Sequence, residues 1–251
     1  MLEQITPLIL TRDEEPNIGR TLAQLAWARD VVLVDSFSAD ATLTIAAGFP
    51  NVRVFQRELD TLAGQSNFGI AQARTPWVLL LDADYFVPAA FTEELRALEP
   101  PANIRAYTAA FTYAVHGKPL RATLYPPRVA LLHREHAKVW QDGHAHRVLV
   151  DGETGMLRSK IVHDDRKSFA RFVARQRTYM RQEAAKLRAA DPRALNLAAR
   201  IRKLIVVAPF AVVVHALFVR GLILDGRPGL VYAWERFVAE LMLSRALLRK
   251  E

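Results

Sequence analysis

Leu79-Leu80-Leu81-Asp82-Ala83-Asp84 places two carboxylates at i and i+2 directly after an apolar run. Leaving the end of a buried strand, such a pair offers hard oxygen ligands to a divalent cation. Mg2+ is held by one or two carboxylates together with substrate phosphates. The cation then neutralises charge that grows on a departing diphosphate. Alone, an Asp-x-Asp reads more readily as a solvated strand-end turn, so its surroundings decide. Asp35 closes a second apolar run, Val31–Val34, and His163 ends the strand-like Lys160-Ile161-Val162. A neutral imidazole there is a further ligand for a metal or a diphosphate, or else a satisfied structural histidine. His144 and His146 are spaced for one strand face, but a zinc site needs a third ligand and none is evident.

These residues must be held by something, and the chain supplies alternating strands and helices. Thr6–Leu10, Val31–Val34, Val52–Phe55 and Trp77–Leu81 are short apolar runs, as buried parallel strands require. Between them Asn17–Ala28, Asp40–Ala47 and Phe68–Ala73 carry helical spacing. This rhythm predicts an α/β fold with a mostly parallel, Rossmann-like sheet flanked by helices. Ligands of such sheets bind outside the carboxyl ends of the strands, where Asp35, Asp82 and Asp84 fall. Tyr107–Val115 alternates as a half-exposed strand does, Pro126-Pro127 marks a turn, and Val129–Leu132 reads as another strand. Ser168–Ala190 returns to a helical pattern that Asp191-Pro192 ends.

The predicted organisation is a catalytic domain over 1–165 and a basic, apolar helical extension over 166–251. Of 251 residues, half are apolar and none is cysteine, which excludes disulfides, thiolate metal sites and a cysteine nucleophile and suits a reducing cytoplasm. The first residues carry no basic and apolar leader, so no secretory signal is expected. Charge is uneven: residues 1–157 hold 14 Lys/Arg against 18 Asp/Glu, whereas residues 158–251 hold 20 against 8. The tail therefore needs an anionic partner or surface. Few aromatic residues interleave its basic positions, which argues against nucleic acid. Leu204–Val219 is the most apolar stretch, but its sixteen residues fall short of the ~20 that span a bilayer. An interfacial segment, a docked core helix and a true span stay open. Arg200, Arg202 and Lys203 flank one end. Basic charge attracts anionic lipid at about 1 kcal/mol per residue. Inserted large apolar side chains contribute ~1.5–3 kcal/mol each, so apolar insertion is expected to anchor the tail.

Four ordered stretches carry a family resemblance. They are Leu10-Thr11-Arg12-Asp13-Glu14-Glu15-Pro16-Asn17, Val34-Asp35-Ser36-Phe37-Ser38-Ala39-Asp40, Asn67-Phe68-Gly69-Ile70-Ala71 and the terminal Asp82-Ala83-Asp84. Together they resemble glycosyltransferase family 2, with its GT-A fold. The resemblance implies an inverting transfer from a nucleotide-sugar, expected to be UDP-linked, with Mg2+ or Mn2+ as cofactor. It implies that Thr11, Glu14 and Asn67 line the nucleotide pocket and that Asp35 accepts a hydrogen bond from the base. Ser38 and Asp40 fix that loop, a role that overlaps with helix capping. Asp82 faces ribose or metal, and Asp84 is the principal metal ligand, with His163 as an additional one. The family's usual Tyr-Asn is Arg12-Asp13 here, and its usual Arg-Asn is Ser66-Asn67, which leaves Arg57 or Arg74 to touch the diphosphate.

Trp140-Gln141-Asp142-Gly143-His144, Ile161-Val162-His163-Asp164-Asp165 and Gly221-Leu222-Ile223-Leu224-Asp225-Gly226 resemble transferases of lipopolysaccharide inner-core assembly. Those often carry His-Glu where this chain has His146-Arg147. The implied acceptor is a glycan or lipid-linked glycan, at the cytoplasmic face of the inner membrane, with the protein peripheral or monotopic on an anionic surface. An inverting transfer needs a carboxylate to take the acceptor's proton. Asp142 is the first candidate, in a polar His-rich loop, with Asp164 and Asp165 behind it; a turn with Gly143 is the bland alternative. Two rivals remain: a nucleotidyltransferase, against which the acidic, glycine-free first loop argues, and a catalytically weakened binding protein at the membrane.

Overall fold

The computed structural model describes residues 1–142, 145–191, 193 and 195–249, and of Asp142, Ala145 and His146 only the backbone. The chain clusters into two compact units. One comprises residues 1–113 and 125–166, the other residues 114–124 and 167–251.

The first unit opens with β1 (Ile5–Thr11), α1 (Ile18–Ala23), β2 (Val31–Asp35), α2 (Thr42–Ala46), β3 (Val52–Gln56), α3 (Leu62–Gln72) and β4 (Trp77–Asp82). It continues with β5 (Tyr85–Phe86), α4 (Ala89–Ala97) and β6 (Ile104–Val115), which runs on into the second unit. After the short β7 (Lys118–Pro119) of that unit come β8 (Arg128–His133), β9 (Ala137–Asp142), β10 (Ala145–Val150) and β11 (Glu153–His163). The sheet order is β3-β2-β1-β4-β8-β6-β11-β5. β3, β2, β1 and β4 run parallel, as do β6 and β11, while β8 and β5 pair antiparallel with their neighbours. β9 and β10 form a separate hairpin.

Both sheet faces are covered, which explains why the strands are apolar at odd and even positions alike. Ile9, Leu33 and Leu79 face one core with Ile18, Leu22 and Phe91. Leu8, Val32 and Val78 face the other with Ile70 of α3 and Val139 of β9. Gly69 permits that second contact: a Cβ there would stand 2.3 Å from Leu8 Cδ1. The helix predicted over Asn17–Ala28 is cut to six residues, and α3 begins six residues before the predicted Phe68, where Thr61 caps Gly64 N at 2.9 Å.

In the second unit α5 (Phe169–Ala189), α6 (Leu197–Lys203), α7 (Ala208–Val214) and α8 (Arg227–Leu248) pack together. α7 continues as a π-helical turn over His215–Val219. Ala184, Leu187 and Leu243 form the core. Arg202 bonds Glu240 at 2.9 Å and approaches Glu183 at 3.4 Å. Residues 114–124, expected with the catalytic domain, cluster here instead. The physical reason is a set of bonds: Arg121 Nε to Asp225 Oδ1 at 2.8 Å, and Leu124 N to the Tyr232 hydroxyl at 3.2 Å. Among the described residues no helix is long and apolar enough to cross a membrane.

Candidate active site

Register brings the sequence-predicted residues to one edge of the first unit. Thr11 stands opposite Asp35 across β1 and β2, and Leu10 stands opposite Asp82 across β1 and β4. The carboxyl ends of three adjacent parallel strands therefore present Thr11, Asp35 and Asp82 side by side, where α/β sheets bind ligands.

The loops that follow β1 and β2 are bonded into one unit. Asp35 is 0% exposed. Its Oδ1 accepts from Thr11 Oγ1 at 2.9 Å and from Ser38 Oγ at 2.5 Å, and its Oδ2 accepts from Ser38 N at 2.9 Å. Asp13 N donates to Ser38 Oγ at 2.8 Å, Glu14 N to Thr42 Oγ1 at 2.7 Å, and Glu15 N to Asp40 Oδ2 at 3.2 Å. Asp40 also accepts from Thr42 N at 3.0 Å. Burial of a carboxylate is tolerated only with such donors. Asp13 and Phe37 hold left-handed backbone, φ 53° and 55°, a costly conformation for residues with a Cβ. Phe37 carries its ring 55% exposed in this loop.

Asp82 and Asp84 bracket the step from β4 to β5. Asp84 is 6% exposed. β5 pairs with β11 so that Tyr85 faces His163, and His163 Nε2 lies 3.2 Å from Asp84 Oδ2. The imidazole is ringed by Tyr85, Tyr113 and Tyr125 at centroid distances of 5.3, 4.8 and 5.2 Å. Its Nδ1 is buried and finds no hydrogen-bond partner among the described residues. Three groups record the negative potential of this pocket. Burial alone would lower the His163 pKa, but the Asp84, Asp82 and Asp165 carboxylates outweigh it and hold it above the ordinary value. Burial first, then Asp82 and Asp84, push the Tyr85 phenol well up. Burial and Asp82 do the same for Tyr125, against the nearby Arg128. The Tyr85 and Tyr125 hydroxyls share a 2.9 Å hydrogen bond.

This donor set, carboxylate oxygens with one imidazole, fits Mg2+ or Mn2+ by chemistry. Among the described residues no three His, Asp or Glu side chains gather closely enough to hold a metal on their own. Diphosphate oxygens and water would have to complete the shell, as is usual for Mg2+.

Asp164 is paired with two arginines. Its side chain is buried, with Oδ2 bonded to Arg20 Nη1 and, at 3.0 Å, to Arg166 Nε. Arg20 also donates to the Asp164 carbonyl at 2.6 Å, and Asp164 N donates to Asp84 O at 3.0 Å. Asp164, expected among the bases, is thereby linked to the backbone of Asp84. Asp165 Oδ1 accepts from Asn17 Nδ2 at 3.0 Å. Asn17, fully buried, also donates to Glu14 Oε2 at 3.0 Å and accepts from Arg166 N at 3.0 Å.

Asn67 bridges two elements of the first unit. Both ends of its amide are bonded to the backbone of Val139, Nδ2 to O and Oδ1 from N, each at 2.9 Å. Ala63 N donates to Gln141 Oε1 at 3.1 Å. The residue expected in the nucleotide pocket thus ties α3 to β9. Asp142 closes β9 rather than lying in a loop; its side chain, and that of His146, lie outside the described residues, as do Gly143 and His144. Arg57, a candidate for the diphosphate, is paired with Asp60 at 2.8 Å. Sequence reasoning missed Asn17, Arg20, Phe37 and Tyr125. Only Asn17, standing just before a helix, left a signal.

Residues 8–112 match the family described as Glycosyl transferase family 2. The lipopolysaccharide core biosynthesis glycosyltransferase LpsC of Rhizobium meliloti (strain 1021) is 30% identical over 99 residues, which is 38% of this chain and 36% of that protein. The succinoglycan biosynthesis protein ExoO of the same organism is 41% identical over 70 residues, 27% of this chain and 20% of that one. The chain thus matches about a third of the first relative's length and a fifth of the second's. Among solved structures, residues 1–349 of S. aureus TarS in complex with UDP-GlcNAc superpose with a TM-score of 0.50 at 15% identity, covering 95% of this chain and 89% of that one. Glucosyl-3-phosphoglycerate synthase from Mycobacterium tuberculosis in complex with phosphoglyceric acid superposes with a TM-score of 0.50 at 14% identity, covering 76% and 82%. At such identities the likeness is one of fold.

Proposed function

We propose, from the match of residues 8–112 to Glycosyl transferase family 2, that this chain is an inverting sugar transferase of cell-envelope polysaccharide synthesis. The donor is a nucleotide-sugar, UDP-linked as in the TarS complex named above. The acceptor is a glycan or lipid-linked glycan, as the kinship with a lipopolysaccharide core transferase suggests. The observation that carries the reading is the convergence of Thr11, Asp35 and Asp82 at three strand ends, beside the buried Asp84–His163 pair.

Asp84, with Asp82 and His163, would hold Mg2+ or Mn2+. When bound, the cation supplies charge neutralisation to the departing diphosphate. The chain's own residues do the rest. Thr11, Ser38 and Asp40 lock the two loops that receive the nucleotide, and Asp35 sits beneath them as their common acceptor. Phe37 offers its exposed ring as a stacking surface for the base. Asp164 and Arg20 hold the backbone of Asp84 in place. Asp142, at the end of β9, takes the proton of the attacking acceptor hydroxyl, with Asp165 as the alternative base. The basic extension keeps the protein on the anionic cytoplasmic leaflet of the inner membrane, peripheral or monotopic, where a lipid-linked acceptor lies.

A panel of nucleotide-sugars with and without Mn2+, read by thermal shift and by donor hydrolysis, tests this. One UDP-sugar should raise the unfolding temperature only with the metal and be hydrolysed slowly without acceptor. Pyrophosphate release from sugar phosphate and nucleoside triphosphate would instead make the chain a nucleotidyltransferase. Donor binding without turnover would make it a binding protein.

A further inference from the structure

Helix α8 buries two polar side chains and exposes three large apolar ones along one side. Glu240 is 7% exposed and bonded to Arg202, and Ser244 is buried with its hydroxyl on the Ile205 carbonyl at 2.6 Å. Trp234, by contrast, is 55% exposed, and Leu230 and Leu241 are exposed on the same side. Positions 230, 234 and 241 follow helical spacing, so they share one stripe. Arg227 lies one turn before that stripe and Arg245 one turn after it, both exposed.

The neighbouring helix repeats the pattern. Phe210, Val214 and Phe218 succeed each other at i+4 along α7 and its π-helical continuation, and all three are exposed. Phe237 joins the two stripes. Its ring lies 5.6 Å from that of Phe210 and 5.6 Å from that of Trp234. Gly229 lets the hairpin close, since a Cβ there would stand 1.9 Å from the Leu222 carbonyl oxygen. Two adjacent helices thus present a continuous apolar face with a tryptophan in it. An exposed face of this kind marks an interaction surface.

We propose that this face of α7 and α8 is a membrane-insertion surface that lies in the plane of an anionic lipid leaflet. Three observations select that occupant. No helix among the described residues is long and apolar enough to cross a bilayer, and the face runs along the sides of two helices. Its borders are arginines, Arg220 between the helices and Arg227 and Arg245 along α8, with Arg200 on the preceding α6. The surrounding segment 158–251 has 20 Lys/Arg against 8 Asp/Glu. Anionic headgroups complement that rim, whereas a second copy would bring the same arginines against each other. An apolar centre with Trp and Phe and a Lys/Arg border is the arrangement of an interfacial amphipathic element. The surface deepens the membrane part of the function proposed above and stands independently of its catalytic part.

Vesicle flotation of the full chain tests it, with phosphatidylcholine vesicles and vesicles containing phosphatidylglycerol. The protein should float with the anionic vesicles, and brominated lipid should quench its tryptophan fluorescence. Phe210→Ser combined with Trp234→Ser should weaken vesicle binding on the order of tenfold or more, and Arg227→Gln combined with Arg245→Gln should weaken it several-fold. Both pairs are exposed, so circular dichroism and unfolding temperature should not change. Failure to float, equal binding by the Ser variant, or equal binding to neutral vesicles would overturn the proposal. So would a dimer in solution that the Ser variant dissociates while no vesicle is bound; that result assigns the face to a second copy. Nucleotide-sugar binding measured in parallel separates the two readings. If it persists without flotation, only the membrane face falls; if it is absent while the protein floats, only the catalytic reading falls.

Discussion

Asn67 and Val139 are joined by two hydrogen bonds of 2.9 Å, amide N–H to carbonyl and backbone N–H to amide oxygen. A side chain on α3 here completes the backbone pairing of β9, 72 residues away. Strand β9 of the hairpin, which ends in Asp142, is therefore tied to α3 by this asparagine together with the Ala63 N–Gln141 Oε1 bond.

Asn67→Ala should disturb that hairpin while sparing the nucleotide loops. It leaves a backbone N–H and a carbonyl of Val139 without their partner, a cost of about 1–3 kcal/mol each if water does not replace it. Steady-state kinetics should show kcat falling on the order of tenfold or more with the donor KM nearly unchanged. A raised donor KM at constant kcat would return Asn67 to the nucleotide pocket.

Phe37→Ser removes the exposed ring beside the Asp35 loop. Stacking of a base on an aromatic ring contributes ~1–3 kcal/mol, so donor affinity should fall by about tenfold or more, measured by calorimetry. Thermal stability should hardly move, because the ring covers little of the core. Unchanged donor affinity would remove Phe37 from the site.

Glu94 on α4 accepts from Arg158 N and Ser159 N at 2.7 Å each, where the pairing of β11 with β6 is irregular. Partial burial raises its pKa, but these N–H donors outweigh burial and hold it below the ordinary 4.5. A depressed carboxylate stabilises the fold above the unfolded-state pKa, and that contribution is lost as pH falls through the folded value. Wild-type stability, read by urea unfolding, should therefore drop more steeply below pH 4.5 than that of Glu94→Gln. Parallel pH profiles for the two proteins would contradict the capping role.

The parallel strands were legible because their apolar runs end in acids: Val31–Val34 before Asp35, and Trp77–Leu81 before Asp82. Burial on both sheet faces wrote that signal. The role of Asp164 was not legible, since its partner Arg20 lies 144 residues away and only folding brings them together. The same holds for Asn67 and Val139. The β9–β10 hairpin escaped notice because Trp140-Gln141-Asp142-Gly143-His144 is polar and carries no clear alternation. In the tail, hydropathy located Leu204–Val219 but not the polarity of α8, whose apolar residues lie on both its buried and its exposed sides.

In the function proposed above, Asp84 holds the cation through which the donor diphosphate binds. Calorimetric titration of a UDP-sugar with Mn2+ into the wild type and into Asp84→Asn, which keeps the shape and removes the charge, measures it directly. Binding to the wild type should depend on the metal and should weaken on the order of a hundredfold in the variant, with circular dichroism unchanged. Equal affinity in the two proteins, or wild-type binding indifferent to Mn2+, would contradict it.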